Sequence, residues 1–528
     1  MIRTRKYFGA LALALLATGA LIASGCGSSD DSSSGGGTII RGTTDQPISY
    51  DPAGAYDLPS YDGIYSMYQN LLTVEPGGNK AVPEAAEKCD FTNDDNTEYE
   101  CTMKDGLTFS DGSTLDAEDV QFSFERNVDI ADPNGASSLL ANMKSVKASS
   151  DGKTVTFELN EPDATWPLVL TTGSFAIVPS DVYPADKLQP SDKVVGSGRY
   201  TLADYEPGKQ TVMEKSDSYQ GDDPAKNDRV IIQYFDKASA LKLAVQNGDV
   251  DIAYRSLSPT DIDDLDGADG VNVVSGNGTE IRYLVFNTKL QEGDDDAQKL
   301  AIRQAVAQTI DRQAIADNVY NGTVQPLYSM IPQGVEFAGS QFSDEYGEGP
   351  DTDAAAQTLE DAGVDTPVPM EIWWTPSHYG AASGDEYAEI KRQLDDSGLF
   401  DVTLKSTEWN QYSTAAFTDK YPQYQLGWFP DYPDADDYTS PFYLPDSFLN
   451  IHYDNPQMNK LIAQEKSSSD PQVRSKAFEQ IQQIGAQDAP TIPIWQADQV
   501  AAVRDGVSGV EETFDPSFIF RYWLISKN

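Results

Sequence analysis

Apolar residues along this 528-residue chain recur at two spacings that alternate from one end to the other. Short runs with every second or every residue apolar, such as Thr154–Leu159, Val230–Phe235 and Ile281–Phe286, predict strands. Between them, apolar positions three or four apart predict helices with one buried stripe. Ile64, Tyr68 and Leu72 mark such a stripe over 61–72, Val120, Phe124 and Val128 a second, and Leu241, Ala244 and Val245 a third, over 237–247 and closed by Gly248. Ile302, Val306 and Ile310 recur every four residues between Ala297 and Val319. Asp470-Pro471 opens another helix, proline suiting its first turn, with Val473, Ala477, Ile481 and Ile484 inward. A strand ending at the turn dipeptide Asp111-Gly112 precedes Asp116, which is placed to cap the helix carrying Val120. Strands interleaved with helices predict an α/β architecture, and no repeat of fixed period is present.

The first residues break this rhythm. Arg3, Arg5 and Lys6 precede an apolar run from Phe8 to Ala23, broken by Thr18 and Gly19 and too short for a comfortable membrane span. The run ends in Ala23-Ser24-Gly25-Cys26 and resembles a secretory signal closed by a bacterial lipobox, with Ala23 where leucine is preferred. This predicts a signal peptide over 1–25 and lipidation of Cys26; the alternative is a secreted protein with a free cysteine. Residues 26–37 are rich in Gly and Ser, a coil with nothing to bury, and fit a tether. A strand through Ile39-Ile40-Arg41 then enters the folded body.

Charge narrows the partners. The formal net charge is −47, and loss of the signal, which carries three cations and no anion, takes it to −50. Nucleic acid and anionic membrane surfaces repel such a protein, so neither is an expected partner beyond a lipid anchor. Cys89 and Cys101 flank the turn sequence Asn93-Asp94-Asp95-Asn96 between two strand-like runs. Outside the cytoplasm that placement predicts a disulfide, worth about 3 kcal/mol for so short a loop. With only His378 and His452 as histidines, a metal site is not expected.

The densest chemistry lies in Gly427-Trp428-Phe429-Pro430-Asp431-Tyr432-Pro433-Asp434-Ala435-Asp436-Asp437-Tyr438. Pro430 and Pro433 deny this stretch a helix. A carboxylate flanked by Trp428, Phe429 and Tyr432 sits in a semi-apolar wall, where an unpaired charge is costly. It calls for a cation, and a ligand ammonium is one candidate; a solvated acidic loop is the other reading. No Gly-x-Ser-x-Gly elbow, phosphate-binding Gly-rich loop or His-Glu-x-x-His helix occurs, so no enzyme activity is expected.

Several motifs converge on one family. Phe109-Ser110-Asp111-Gly112, followed by Ala117-Glu118-Asp119-Val120 and Phe122-Ser123-Phe124-Glu125-Arg126, resembles a signature of the extracytoplasmic solute-binding proteins of ABC importers. The subgroup is the large one that takes oligopeptides, dipeptides and nickel. Ser49-Tyr50-Asp51-Pro52, Val195-Gly196-Ser197-Gly198-Arg199-Tyr200, Phe286-Asn287-Thr288 and Ile302-Arg303-Gln304-Ala305-Val306 are similar to further family marks in the same order, with Arg199 replacing a proline.

The resemblance implies a two-lobed, type II clamp of α/β class. Its first lobe would be built from 38–82, 194–289 and 500–528, with a small accessory domain over 83–193. The second lobe would span 290–499, and the crossovers near Lys289 and Gln499 would be the hinge. It also implies a site. In oligopeptide-binding relatives an aspartate after a Gly-Trp pair holds the peptide ammonium, which corresponds to Asp431 here. Trp428 and the main chain of Gly427 and Phe429 would join it, with Trp409 nineteen residues before Trp428 as a second pocket tryptophan. Tyr56, Asp57 and Leu58 would face the ligand from the other lobe by spacing alone. Asp434, Asp436 and Asp437 would be solvated loop or cap. Either tryptophan has ordinary core packing as its alternative.

The implied protein is a monomeric binding subunit with no cofactor. It would sit on the extracytoplasmic face of the cell membrane, at the cell surface or in the periplasm, and serve a permease and an ATPase. A peptide is the expected ligand. An oligosaccharide or other small polar solute, or a sensing role without transport, are the alternatives.

Overall fold

Local sequence signals set most element ends. Asp116 and Asp119 form a reciprocal capping box that starts the helix Ala117–Ile130. Gly248, at φ +80°, closes the helix Ala238–Asn247 in the left-handed conformation. Asp470 caps Pro471–Asp488 with proline in the first turn. In this computed structural model the described residues are 37–528 apart from Ser256, Ser377 and Asp446; the expected signal peptide, Cys26 and nearly all of the tether lie outside them.

The elements gather on two large sheets. The first has seven strands in the order Val271–Gly276, Gln499–Arg504, Ile252–Tyr254, Thr38–Thr43, Arg229–Tyr234, Gln210–Lys215 and Tyr200–Glu206. Its central strand, Thr38–Thr43, runs parallel to both neighbours, while the outer pairs are antiparallel. The second has six strands in the order Val324–Pro326, Thr491–Ala497, Ile281–Phe286, Gln423–Trp428, Val368–Trp374 and Phe400–Ser406. Ile281–Phe286 is buried at all six positions, as expected of a strand covered on both faces. A third, four-stranded antiparallel sheet joins Ala86–Phe91, Glu98–Met103, Thr154–Leu159 and Met143–Ala148, and packs under the helix Ala117–Ile130.

Each large sheet has its own core. Ile39, Val230, Ile252 and Tyr522 belong to that of the first; Leu284, Ile302, Val306 and Ile492 to one face of the second. Tyr283, Tyr424, Phe442, Phe478 and Ile481 fill the other face of the second sheet.

Three expectations shift. The strand Ile281–Phe286, placed in the first lobe by a boundary near Lys289, pairs on both sides within the second sheet, so the chain crosses between Gly276 and Ile281. The return crossing is at Asp498, between Thr491–Ala497 and Gln499–Arg504. The segment before Asp111-Gly112 is a turn with one bridge, Thr108 to Thr114, because Leu107 and Phe109 anchor it to the small core without a pairing strand. The helix expected over 61–72 spans Leu58–Met67, started three residues early by the Asp57 cap and Pro59. Cys89 and Cys101 stand opposite each other on antiparallel strands and form a disulfide.

Candidate functional site

The strand Gln423–Trp428 delivers the aspartate-rich stretch to the junction of the two lobes. Asp431, half-buried, accepts a hydrogen bond on Oδ1 from the Tyr56 hydroxyl of the first lobe. Its carbonyl accepts the Thr172 hydroxyl at 3.4 Å, and its own N–H donates to Asp437 Oδ2 at 2.9 Å. The Trp428 indole N–H donates to that same Oδ2 at 3.1 Å. No cation pairs with Asp431 or Asp437 among the described residues.

Burial pushes the Asp431 carboxyl up to about 6, against the opposing pull of the Tyr56 bond. Burial, and then the Asp431 charge, drive Asp437 well above the ordinary carboxylate range. Of the two, Asp437 is the harder to ionise, because burial and the Asp431 charge both act against its anion. A proton on Asp437 Oδ1 leaves Oδ2 to accept the two N–H groups observed there.

The three following aspartates are not solvated. Asp434 caps the short turn Ala435–Tyr438 and receives a bidentate pair from Arg474 at 2.9 and 2.7 Å. Asp436 lies 3.6 Å from Lys466 and accepts from the Ser440 hydroxyl. Burial alone would raise its pKa, but Lys466 and its hydrogen bonds hold it below the usual range. Asp437, like these two, is buried. The reason is packing: Tyr438, Phe442 and Phe478 pull this turn into the core, and Arg474 and Lys466 follow to balance its charge.

Between the sheets lies a cavity of about 700 Å³. Asp45, Tyr254, Arg255 and Phe518 line it from the first lobe; Arg282, Tyr320, His378, Tyr379, Phe429 and Trp495 from the second; Glu280 at the crossing completes it. Arg282 is buried, paired with Glu280 and flanked by Tyr379 and Trp495, whose ring centres lie 4.3 and 4.9 Å from the guanidinium carbon. Arg255 pairs with Asp45 at 3.2 Å and lies 4.9 Å from the Phe429 ring centre, a cation–π contact across the lobes. Its φ of +66° is uncommon for a side-chain-bearing residue. Partial burial and then the Arg282 charge lower His378 to about 4, so its ring is neutral.

Of the eight expected ligand residues, Phe429 alone lines this cavity. Gly427 backs it: a Cβ there would collide with the Arg282 guanidinium and come within 2.9 Å of Tyr379. Trp428 turns to the opposite face of the sheet, packing on Phe442 and Phe448. Trp409 stacks on His378 with ring centres 3.6 Å apart and so braces a cavity wall. Tyr56 meets Asp431, whereas Asp57 caps the helix Leu58–Met67 through Ser60 and Leu58 packs on the first core. Arg282, Arg255 and Glu280 were not anticipated. The one sequence trace of Arg282 is a lone charge inside an apolar strand, and Arg255 left none.

The sequence profile of the bacterial extracellular solute-binding proteins, family 5, matches residues 80–450. The chain belongs to this family. Family 5 proteins are binding proteins of transport systems and not enzymes. The dipeptide-binding protein DppE of Bacillus subtilis is 24% identical over 516 residues, covering 92% of this chain and 91% of the relative. The substrate-binding protein CtaP of Listeria monocytogenes superposes with a TM-score of 0.81 at 24% identity, over 93% of this chain and 99% of that one. DppA of Helicobacter pylori, solved with the peptide STSA, gives 0.76 at 20% identity over 94% and 100%. The fold of this family 5 protein is thus the two-lobed type II clamp. Among the described residues no helix is long and apolar enough to cross a membrane.

Proposed function

We propose that this chain is the lipid-anchored binding subunit of an ABC importer, capturing peptides between its lobes and presenting them to a permease driven by a separate ATPase. The observation that carries this reading is the cavity walled by side chains of both sheets, with Asp431, ionised and paired with no cation among the described residues, at the same junction. A peptide offers an ammonium, backbone amides and variable side chains. A receptor tolerant of side chains must read the first two. Tyr56 fills one acceptor site of the Asp431 carboxylate, and a carboxylate has about four, so a ligand ammonium has room beside it. The names of the peptide-binding relatives agree with this choice.

Capture works by closure. The two crossings, 277–280 and Asp498, act as the hinge between a first lobe carrying the small domain and a second lobe. Cross-lobe contacts such as Tyr56 to Asp431 and Phe429 to Phe518, 5.7 Å between ring centres, form only when the lobes meet. A ligand touching both walls favours the closed state by its differential affinity. Cys26 would hold the protein on the extracytoplasmic face of the membrane. Native mass spectrometry of the purified folded domain tests the ligand class: co-purified peptides are expected, and oligosaccharides alone, stacked on the cavity's aromatic rings, would overturn the peptide assignment.

A further inference from the structure

Behind the aromatic wall of the cavity lies a carboxyl group that the ammonium site does not use. Glu386 stands in the first turn of the second-lobe helix Ser383–Asp396 and is 1% exposed. The Tyr320 hydroxyl donates to its Oε2 at 2.5 Å, and the Trp495 indole N–H donates to the same oxygen at 3.1 Å. The donors come from separate elements: Tyr320 follows the helix Arg312–Asn318, and Trp495 lies in the strand Thr491–Ala497. Their ring centres are 4.8 Å apart with the planes tilted by 57°, and both rings line the cavity. Glu386 itself does not reach it.

Neither packing nor charge balance accounts for an acid at this position. Tyr387, Ile390 and Leu394 of the same helix are core residues with no exposure. A leucine in place of Glu386 would join them without the cost of withdrawing a carboxyl group from water. Oε1 is buried with no partner among the described residues, which adds to that cost. Other buried acids face cations: Asp434 and Glu465 share Arg474, and Asp51 faces Arg126. Glu386 has no cation within ion-pair distance among the described residues; Arg282, committed to Glu280, acts on it only from further away. What Glu386 does, and a leucine would not, is hold two rings. The Tyr320 O–H and Trp495 N–H are buried and have no other acceptor among the described residues, so both rings keep the orientations in which Oε2 is within reach.

Resting on the peptide reading above, we infer that Glu386 is a positioning residue for side-chain selection, fixing Tyr320 and Trp495 as one rigid corner of the cavity. A corner that cannot yield rejects a side chain of the wrong size; one that can turn its rings accommodates it. Trp495 also lies against Arg282, 4.9 Å from the guanidinium carbon, so the bond that holds the indole steadies that neighbour too.

The test offers tripeptides in which one position at a time runs through Gly, Ala, Val, Leu, Phe and Trp to the unaltered protein, Glu386→Gln and Glu386→Leu. Retention is read by native mass spectrometry, and melting curves confirm that each variant folds. At the position that meets the corner, retention by the unaltered protein should span about tenfold or more, the value of one ill-fitting methylene in a rigid pocket, and shrink towards about twofold in Glu386→Leu. Glu386→Gln should restore the span, because its amide oxygen accepts from both rings. A second readout needs no ligand. The Trp495 indole N–H resonance, assigned by its loss in Trp495→Phe, should stay downfield in Glu386→Gln and move upfield in Glu386→Leu. An unmoved resonance in Glu386→Leu overturns the positioning role. So does an unchanged side-chain profile, or a fall in retention by one common factor for every side chain, which is the mark of a merely structural part. Retention of no peptide by the unaltered protein overturns the peptide reading, and the role in selection with it.

Discussion

Asp434 and Asp436 follow Asp431 by three and five residues, yet the two halves of this stretch solve burial differently. Asp434 has Arg474 bidentate against it, and Asp436 has Lys466. Among the described residues Asp431 and Asp437 have no cation; Asp431 accepts the Tyr56 hydroxyl, and Asp437 Oδ2 accepts two N–H groups. The first arrangement is closed, its charge balanced within the second lobe. The second is open, an anion at the lobe junction with no cation beside it among the described residues, and a ligand's ammonium is proposed to balance it. Asp434 and Asp436 are thus held by cations of their own lobe, whereas Asp431 is the carboxylate proposed to meet a ligand.

Removing the internal cation should give the largest effect. Arg474→Met strands Asp434 and Glu465 in the core, and a loss of about 3–5 kcal/mol is expected in chemical denaturation. A loss below 1 kcal/mol would erase the contrast between the halves.

The open half should respond to pH. Asp431 must be ionised to hold an ammonium, so affinity for a free-amine peptide should be level above pH 7 and fall, towards about tenfold per unit, below about pH 6. The stability of the unliganded protein should move the other way. The folded pKa of Asp431 is raised above its unfolded value, so its stabilising contribution is present below about pH 4 and lost as pH rises through about 6. The difference in melting temperature between the protein and Asp431→Asn isolates that term; a difference independent of pH would contradict it.

Asp437→Asn should do least. An amide oxygen can accept from Trp428 and Asp431 as the protonated carboxyl does, so the stability change is expected within about 1 kcal/mol. A larger loss would mean that Asp437 carries the charge.

How much of this could be read in advance differs between the fold and the site. The helices from Ala117, Ala238 and Pro471 were legible because an apolar stripe meets an end signal in each, Asp116 and Asp470 as N-caps and Gly248 as a stop. The strand Ile281–Phe286 was legible as a strand but not as a member of the second sheet, since a continuous apolar run says that both faces are covered and not by which lobe. Asp431 stood out through its aromatic and proline neighbours. The burial of Asp434 and Asp436 did not, because their cations come from a helix end and a helix interior thirty to forty residues on. Arg255 and Arg282 come to line one cavity only after two distant segments fold together, and no local pattern encodes that meeting. Asp57 and Leu58 show the reverse: spacing points to a ligand, while the local sequence, Asp before Leu-Pro-Ser, spells the helix start that is observed.

The central claim is that Asp431 is balanced by the ligand's ammonium. Calorimetry of one peptide in free-amine and N-acetylated form, against the unaltered protein and Asp431→Asn, tests it directly. The account predicts that the substitution weakens the free-amine peptide by about tenfold or more while leaving the acetylated one nearly unchanged. Equal weakening of both would show that Asp431 shapes the lobe junction without holding the amine.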